Sequence, residues 1–496
     1  MNQAMQALRT LQKELYGYNY AIALIDTDEA TVAPTEGTEG RGTALEILSA
    51  EVYRRIAGEE LPRLLAEAEA GELTEQQAAE VRELRRANAQ YSKVPAQEYT
   101  AAKRLFNQSR AAWFKAKAAN DFSIFAPYLQ QCVEVRRRWA GYFAPEKDVY
   151  DTWLDEYQPG LTMAECDRFF AALRSAIVPL LHRIQTEGQA PKADFLLGDW
   201  PLDKQQQLSD YVMQVMGLTR EHCVLGEAEH PFTQQLYDED VRITTHYHRE
   251  DMTSSLYSVI HEGGHALYER GVSPRLRYTV LAEGNCIGIH ESQSRLFENF
   301  VGRSRGFVQF LWPKLRELFP RQLEGVSGEE FYRAVNRVEP GLIRTEADEV
   351  CYALHVMVRY ELEKLLLHGE LEVKDLPAAW NRLYKEYLGV EVPDDARGVL
   401  QDIHWSQGDF GYFPGYALGT AYAAQMVQQM QHQFDFDSCC AAGDLQPICD
   451  YLTQHLWQYG KEKTADELIA ANCGGSFDPM VFTRYLEEKY SEIYRL

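Results

Sequence analysis

The sequence predicts a mainly α protein: a single large helical domain with one small β element. Three observations carry that expectation. Apolar residues recur at helical spacing along nearly all of the 496 residues, a length that allows a large core. The rhythm breaks convincingly once, over 220–250, where VRITTHYH alternates and is rich in β-branched residues, so a short strand or hairpin fits. No internal repeat and no low-complexity linker divides the chain, which leaves one domain over 1–496.

In order, 3–24 and 43–69 read as helices, the second broken by Pro62. The stretch 25–42 between them, rich in Thr, Gly and acidic residues, reads as a loop. Segments 73–92 and 95–119 are charged and Ala-rich, the pattern of a solvated antiparallel helical hairpin that can wall a cleft. Helical patterns continue over 121–144, 161–187 and 201–217. After the β element they resume over 254–270, 290–301, 307–318, 328–336, 341–367, 375–387 and 416–432, then 446–459, 463–471 and 478–494.

Hydrophobic content of 45% and charged content of 25% describe a globular protein, and a net charge of −24 argues against a nucleic-acid partner. The nine cysteines lack CxxC or zinc-knuckle spacing, and their odd number fits a reduced compartment. The first residues mix charges without a signal-peptide core, and no apolar run reaches the roughly 18 residues of a membrane span. These features predict a cytoplasmic protein without a membrane segment.

The chain is organised around 256–271, LYSVIHEGGHALYERG. Residues four apart share a helix face, so His261 and His265 can hold one metal ion together. Glu262 lies beside the first of them, placed to move a proton between an attacking water and a leaving amine. Thr253, Ser254 and Ser255 are N-cap candidates, and Gly271 follows the last turn. Gly263 and Gly264 each cost helix stability, about 1 kcal/mol against alanine, which makes sense where another backbone or a ligand comes close. A chance HExxH in a Glu-rich helix is the bland alternative. A hydrolytic site needs a third protein ligand, and Glu291 in NCIGIHESQSRLFENF is the candidate, with His290 and Glu298 as alternatives. A helix turning back on the first would bring it there, with Gly284 and Gly288 easing the approach of the two backbones.

HPF at 230–232, DVRITT at 240–245, HEGGH at 261–265, HESQ at 290–293, IRTEAD at 343–348, GVLQDIHW at 398–405 and FGYFPGYALG at 410–419 occur in one order. Together they resemble the carboxypeptidase Taq family of metallocarboxypeptidases. The resemblance implies a helical fold with a deep substrate cleft, similar to neurolysin and angiotensin-converting enzyme. It implies a homodimer, one divalent metal per chain (zinc or cobalt), peptide substrates, and broad removal of C-terminal amino acids by metal-activated water. By it His261, His265 and Glu291 are the ligands and Glu262 the general base. Where the family shows Trp-Asp and Met-Pro near the N-terminus, this chain has Ile25-Asp26 and Ala33-Pro34. Related zinc peptidases place an acid four residues after the glutamate ligand to orient a histidine. Arg295 stands there in this chain, so Asp348 or Glu346 is expected to supply that support.

Arg344 suits bidentate capture of a terminal carboxylate, set against pairing with Glu346 or Asp348. Tyr412 and Tyr416, in a Gly/Pro-broken loop, are candidates to stabilise an oxyanion. His230, fixed by Pro231, is a further catalytic candidate, and Arg242 and His404 are further substrate-binding ones. Arg397, in an acidic loop, is a candidate at the cleft mouth. An endopeptidase or dipeptidyl-carboxypeptidase on the same cleft is the rival, as is a peptide-binding scaffold with a structural metal. The intact Glu262 argues against the scaffold, since a structural site needs no base.

Overall fold

A computed structural model describes residues 3–496, mostly as helices, two of which, over 149–157 and 436–442, the periodicity does not predict. They are α1 (Gln3–Thr31), α2 (Thr38–Ala57), α3 (Glu60–Glu69), α4 (Glu75–Ser92), α5 (Ala96–Ala119), α6 (Ala126–Phe143), α7 (Val149–Tyr157), α8 (Met163–Thr186) and α9 (Leu202–Val215). A small sheet follows, then α10 (Met252–Gly271), α11 (Ile287–Arg295), α12 (Arg305–Leu318), α13 (Gly328–Val335), α14 (Glu349–His368), α15 (Leu376–Leu388) and α16 (Pro414–Gln431). The chain ends with α17 (Phe436–Ala442), α18 (Gln446–His455), α19 (Ala465–Asn472) and α20 (Pro479–Tyr494). The β element is larger than a hairpin. Strands β1 (Cys223–Glu227), β2 (Thr233–Tyr237) and β3 (Asp240–Thr245) lie in the order β1-β3-β2. β3 pairs parallel to β1 and antiparallel to β2, which leaves β2 as an edge.

Several expectations give way to tertiary structure. The stretch 25–42 is mostly helical, its threonine hydroxyls turned onto the preceding turn: Thr27 Oγ1 donates to Ala23 O at 2.7 Å and Thr31 Oγ1 to Thr27 O at 2.6 Å. The break within 43–69 falls at Gly58, and Pro62 sits in the first turn of α3, where its missing N–H costs nothing. α4 and α5 do not form a hairpin. α4 packs on α2 and α3, and α5 on α6. The expected helix over 341–367 begins only at Glu349, because Asp348 caps it by accepting from the Val350 and Cys351 amides. α10 is likewise capped by Asp251, which accepts from Thr253 N at 2.8 Å, and Gly271 is its last residue.

The face that carries His261, His265 and Glu291 is assembled by α11, wedged between α10 and α16. A Cβ on Gly264 of α10 would lie 2.8 Å from Gln293 O and Ser294 Cα of α11. A Cβ on Gly419 of α16 would lie 2.7 Å from Glu291 Cβ, and one on Gly415 would lie 2.7 Å from Ile287 Cγ2. Helices approach this closely only where side chains are absent. Gly284 sits against side chains of both helices, the His290 ring of α11 and Tyr268 of α10, while Gly288 faces Gln158 and Tyr422 and not α10.

Two glycine variants therefore carry opposite signs. Gly264→Ala removes a helix cost of about 1 kcal/mol but overpacks a backbone contact that typically costs about 1–3 kcal/mol, so it lowers the melting temperature and loosens the site. Gly17→Ala, where a Cβ meets nothing within 4 Å, raises it. Thermal unfolding of both proteins checks the pair, and a Gly264→Ala protein as stable as Gly17→Ala contradicts the wedge.

Candidate active site

His261 and His265 project from one face of α10 toward Glu291 of α11. Glu291 Oε2 lies 3.8 Å from His261 Nε2 and 3.6 Å from His265 Nε2. Donor atoms of the three residues lie within 4.8 Å of one another, and no other such cluster occurs among the described residues. A tetrahedral ion with bonds of about 2.1 Å sets its ligands roughly 3.4 Å apart, so the spacing fits a divalent ion. Two imidazoles and a carboxylate are a donor set that such an ion takes. Burial, with His290 and His261 nearby, holds the His265 imidazole well below its ordinary pKa, which keeps it neutral and able to ligate.

Each histidine is aimed by its other nitrogen. His261 Nδ1 lies 2.9 Å from Glu298 Oε2. His265 Nδ1 lies 2.6 Å from His290 Nδ1, and His290 Nε2 lies 2.7 Å from Glu269 Oε1. A proton on His265 Nδ1 therefore donates to His290, which donates in turn to Glu269. Glu298 reaches His261 because α11 continues into a π-helical segment, Leu296–Gly302, which re-aims its side chain. Burial pushes the Glu298 carboxyl up, but Arg295, His261 and Arg303 outweigh it and hold it well below the usual carboxylate range. Arg295, in the position usually acidic, links ligand to support: its Nε donates to Glu291 Oε1 at 2.8 Å and its Nη1 to Glu298 Oε2 at 3.0 Å. Asp348 and Glu346 play no such part, since Asp348 caps α14 and Glu346 is exposed.

Glu262 is buried, and Thr233 Oγ1 of the edge strand donates to its Oε2 at 2.6 Å. Burial raises its carboxyl above the ordinary value, against the opposing pull of His261 and Thr233. The small sheet therefore fixes the carboxylate beside the metal face.

A continuous polar wall leads from Glu291 to the predicted carboxylate reader. The Arg295 guanidinium stacks 4.1 Å from the Tyr352 ring, and Arg344 Nη1 donates to the Tyr352 hydroxyl at 3.2 Å. Arg344 is paired with Asp402 at 3.0 Å, not with Glu346 or Asp348, and its guanidinium lies 4.9 Å over the Tyr416 ring. Asp402 also pairs with Arg359 at 2.6 Å, so two guanidiniums share one carboxylate. His404 packs 5.1 Å from Tyr412 and 6.3 Å from Tyr416, and burial lowers its pKa to about 4. Burial raises both phenols, and the nearby Glu291 carboxylate adds to it. Arg344, His404, Tyr412 and Tyr416 therefore gather on one side of the metal face.

Three predicted residues lie elsewhere. Thr233 pairs with Ile243, so strand alternation turns Arg242 to the opposite face of the sheet, where it pairs with Asp240 at 3.0 Å. His230 is exposed on the β1–β2 loop, and Arg397 is exposed and held by Asp394 at 2.6 Å.

Comparison with known proteins agrees with this geometry. The family model described as carboxypeptidase Taq (M32) metallopeptidase matches residues 7–490. The chain belongs to the carboxypeptidase Taq family. It is 37% identical to carboxypeptidase 1 of Bacillus subtilis, with 98% of each chain covered. An M32 carboxypeptidase structure from Deinococcus radiodurans superposes with a TM-score of 0.96 at 35% identity, covering 99% of this chain and 100% of that one. A Pyrococcus furiosus carboxypeptidase structure also gives 0.96, at 32% identity and 99% of each chain. As a member of this family the protein is a metallocarboxypeptidase whose reaction uses a divalent metal. Among the described residues no helix is long and apolar enough to cross a membrane.

Sequence reasoning missed Glu269, Asp402 and Thr233. Glu269 carried a signal, since it lies four residues after His265 on the same helix face. Asp402 sat unused inside GVLQDIHW, and Thr233 acquires its role only through the sheet.

Asp402 generates a pH prediction. Burial pushes its carboxyl up, but Arg359 and Arg344 hold it well below the usual range. A depressed carboxylate stabilises the fold above its unfolded pKa, about 4, and that contribution is lost as pH falls further. Asp402→Asn costs about 3–5 kcal/mol at pH 7 and loses less stability than the native protein between pH 5 and 3. Denaturant unfolding at both pH values checks this, and an unchanged acid dependence contradicts it.

Proposed function

We propose that the protein is a carboxypeptidase of broad specificity that releases C-terminal amino acids from peptides, with His261, His265 and Glu291 holding its metal. A divalent ion bound there supplies a Lewis acid that polarises the scissile carbonyl. Glu262, buried and oriented by Thr233, takes a proton from the attacking water and delivers it to the leaving amine. Tyr412 or Tyr416, both close enough to Glu291 to feel its charge, supplies a phenol hydroxyl that stabilises developing negative charge on the carbonyl oxygen.

One observation carries the exopeptidase reading. Arg344 and Arg359 share the single Asp402 carboxylate, so this buried cluster keeps a net positive charge beside neutral His404. A peptide's terminal carboxylate supplies the missing negative charge, and Arg344 is the member nearest the tyrosines. The same reading takes zinc as the ion, with cobalt as the alternative, and has the enzyme working as a homodimer in the cytoplasm. Nine free cysteines suit that compartment.

The two glutamates separate in a simple experiment. Glu262→Gln retains metal but loses most turnover, whereas Glu291→Ala loses metal affinity. Elemental analysis and rates on both proteins check this, and full metal retention by Glu291→Ala removes it from the ligand set.

Chain-end selection is tested by comparing a free-acid peptide with its C-terminal amide. The amide cannot supply that charge and leaves the two guanidiniums sharing Asp402 alone; losing the charge-assisted contact costs about 1.5–3 kcal/mol, so cleavage is slower by roughly one to two powers of ten. Arg344→Ala shrinks that difference. Equal cleavage of acid and amide by the native enzyme would favour the endopeptidase instead.

A further inference from the structure

Glu363 lies on α14, fully buried and outside the metal group, yet both of its oxygens are committed. Oε1 accepts from Trp405 Nε1 at 2.7 Å, and Oε2 accepts from the Tyr150 hydroxyl at 2.8 Å and from Gly411 N at 2.9 Å. Trp405 follows His404 in the chain, and Gly411 precedes Tyr412. The carboxylate therefore grips both ends of the loop that carries these two groups to the site. Gly411 has φ of +86°, and a Cβ there would lie 2.5 Å from Trp153 O, so the loop is pressed onto α7 where Glu363 catches it. The span between is held from outside by Arg136, whose Nε donates to Gly408 O at 2.5 Å. Tyr157 donates to Asp409 Oδ1 at 2.9 Å and packs its ring 5.0 Å from Tyr412.

Burying a carboxylate is a poor way to add stability, because apolar replacements of such groups are often neutral or better. Three converging donors instead define a geometry. We infer that Glu363 is a positioning residue for the reaction: it sets the separation of Trp405 and Gly411 and thereby places the Tyr412 hydroxyl toward the metal face. This rests on the proposed role of Tyr412 in stabilising the oxyanion. No partner of Glu363 itself reaches the cleft, so the effect passes through the loop.

Glu363→Gln keeps the shape but points an N–H at one of the three donors. The expected protein melts within a few degrees of the native one and binds metal fully. Its KM stays within about threefold, while kcat falls about ten- to a hundredfold, as small misplacements of a reacting group do. Tyr412→Phe lowers kcat by about a hundredfold or more. In the double variant Glu363→Gln costs less than about threefold further, because the group it positions is gone. A merely structural role would not produce that loss of effect. Full kcat in Glu363→Gln beside an impaired Tyr412→Phe overturns the positioning role alone. Equal effects of Glu363→Gln with and without the Tyr412 hydroxyl do the same. A fully active Tyr412→Phe overturns the tyrosine's role and the positioning with it. Should Glu363→Gln fail to fold, Trp405→Phe, which removes one donor and keeps the ring, takes its place in the cycle with the same outcomes.

Discussion

The backbone of Gln293 and Ser294 occupies the space where a side chain on Gly264 would stand. That contact lets α11 lie against α10 closely enough for Glu291 to reach the two imidazoles. Gly419 and Gly415 repeat the arrangement on the far side, so α11 is held between two helices by absent side chains. The metal face, the Arg295 bridge and the turn that delivers Glu298 all follow from where this wedge sets α11.

Buried charge around the wedge is matched locally. Glu291 and Glu298 share Arg295, Glu298 also meets Arg303, and Glu269 backs His290. Such pairs contribute little net stability once desolvation is counted. They do fix the orientation of both imidazoles, which a competent metal-ligand set requires. Arg295 at the position usually acidic illustrates this. The orienting carboxylate comes from Glu298 instead, and the π-helical segment makes up the difference in reach.

Beyond the metal face the arrangement changes character. Asp402 is shared by two guanidiniums, His404 is kept neutral by burial, and the tyrosines are packed among rings. In the proposed reading this part of the site selects by charge, while the metal group and Glu262 serve the proton and carbonyl chemistry. The loop between His404 and Tyr412 is tied to α14 and α7, so its geometry is set by the body of the protein.

The helical character, the β break and the HEGGH helix were legible in the chain itself, because each depends on local periodicity or a short motif. Boundaries were less so: the helix expected over 341–367 starts at Glu349, since Asp348 spends its carboxylate on a cap and leaves Arg344 outside. Sequence could name Arg242, His230 and Arg397 as polar candidates, but strand alternation turns the first away and exposed loops hold the others. Only the tertiary structure paired Arg344 with Asp402, Glu298 with His261 and Thr233 with Glu262, because residues distant in sequence have no local pattern that reports their meeting. What a single helix or strand encodes was readable from the sequence. What two elements must build together was decided by how closely they pack.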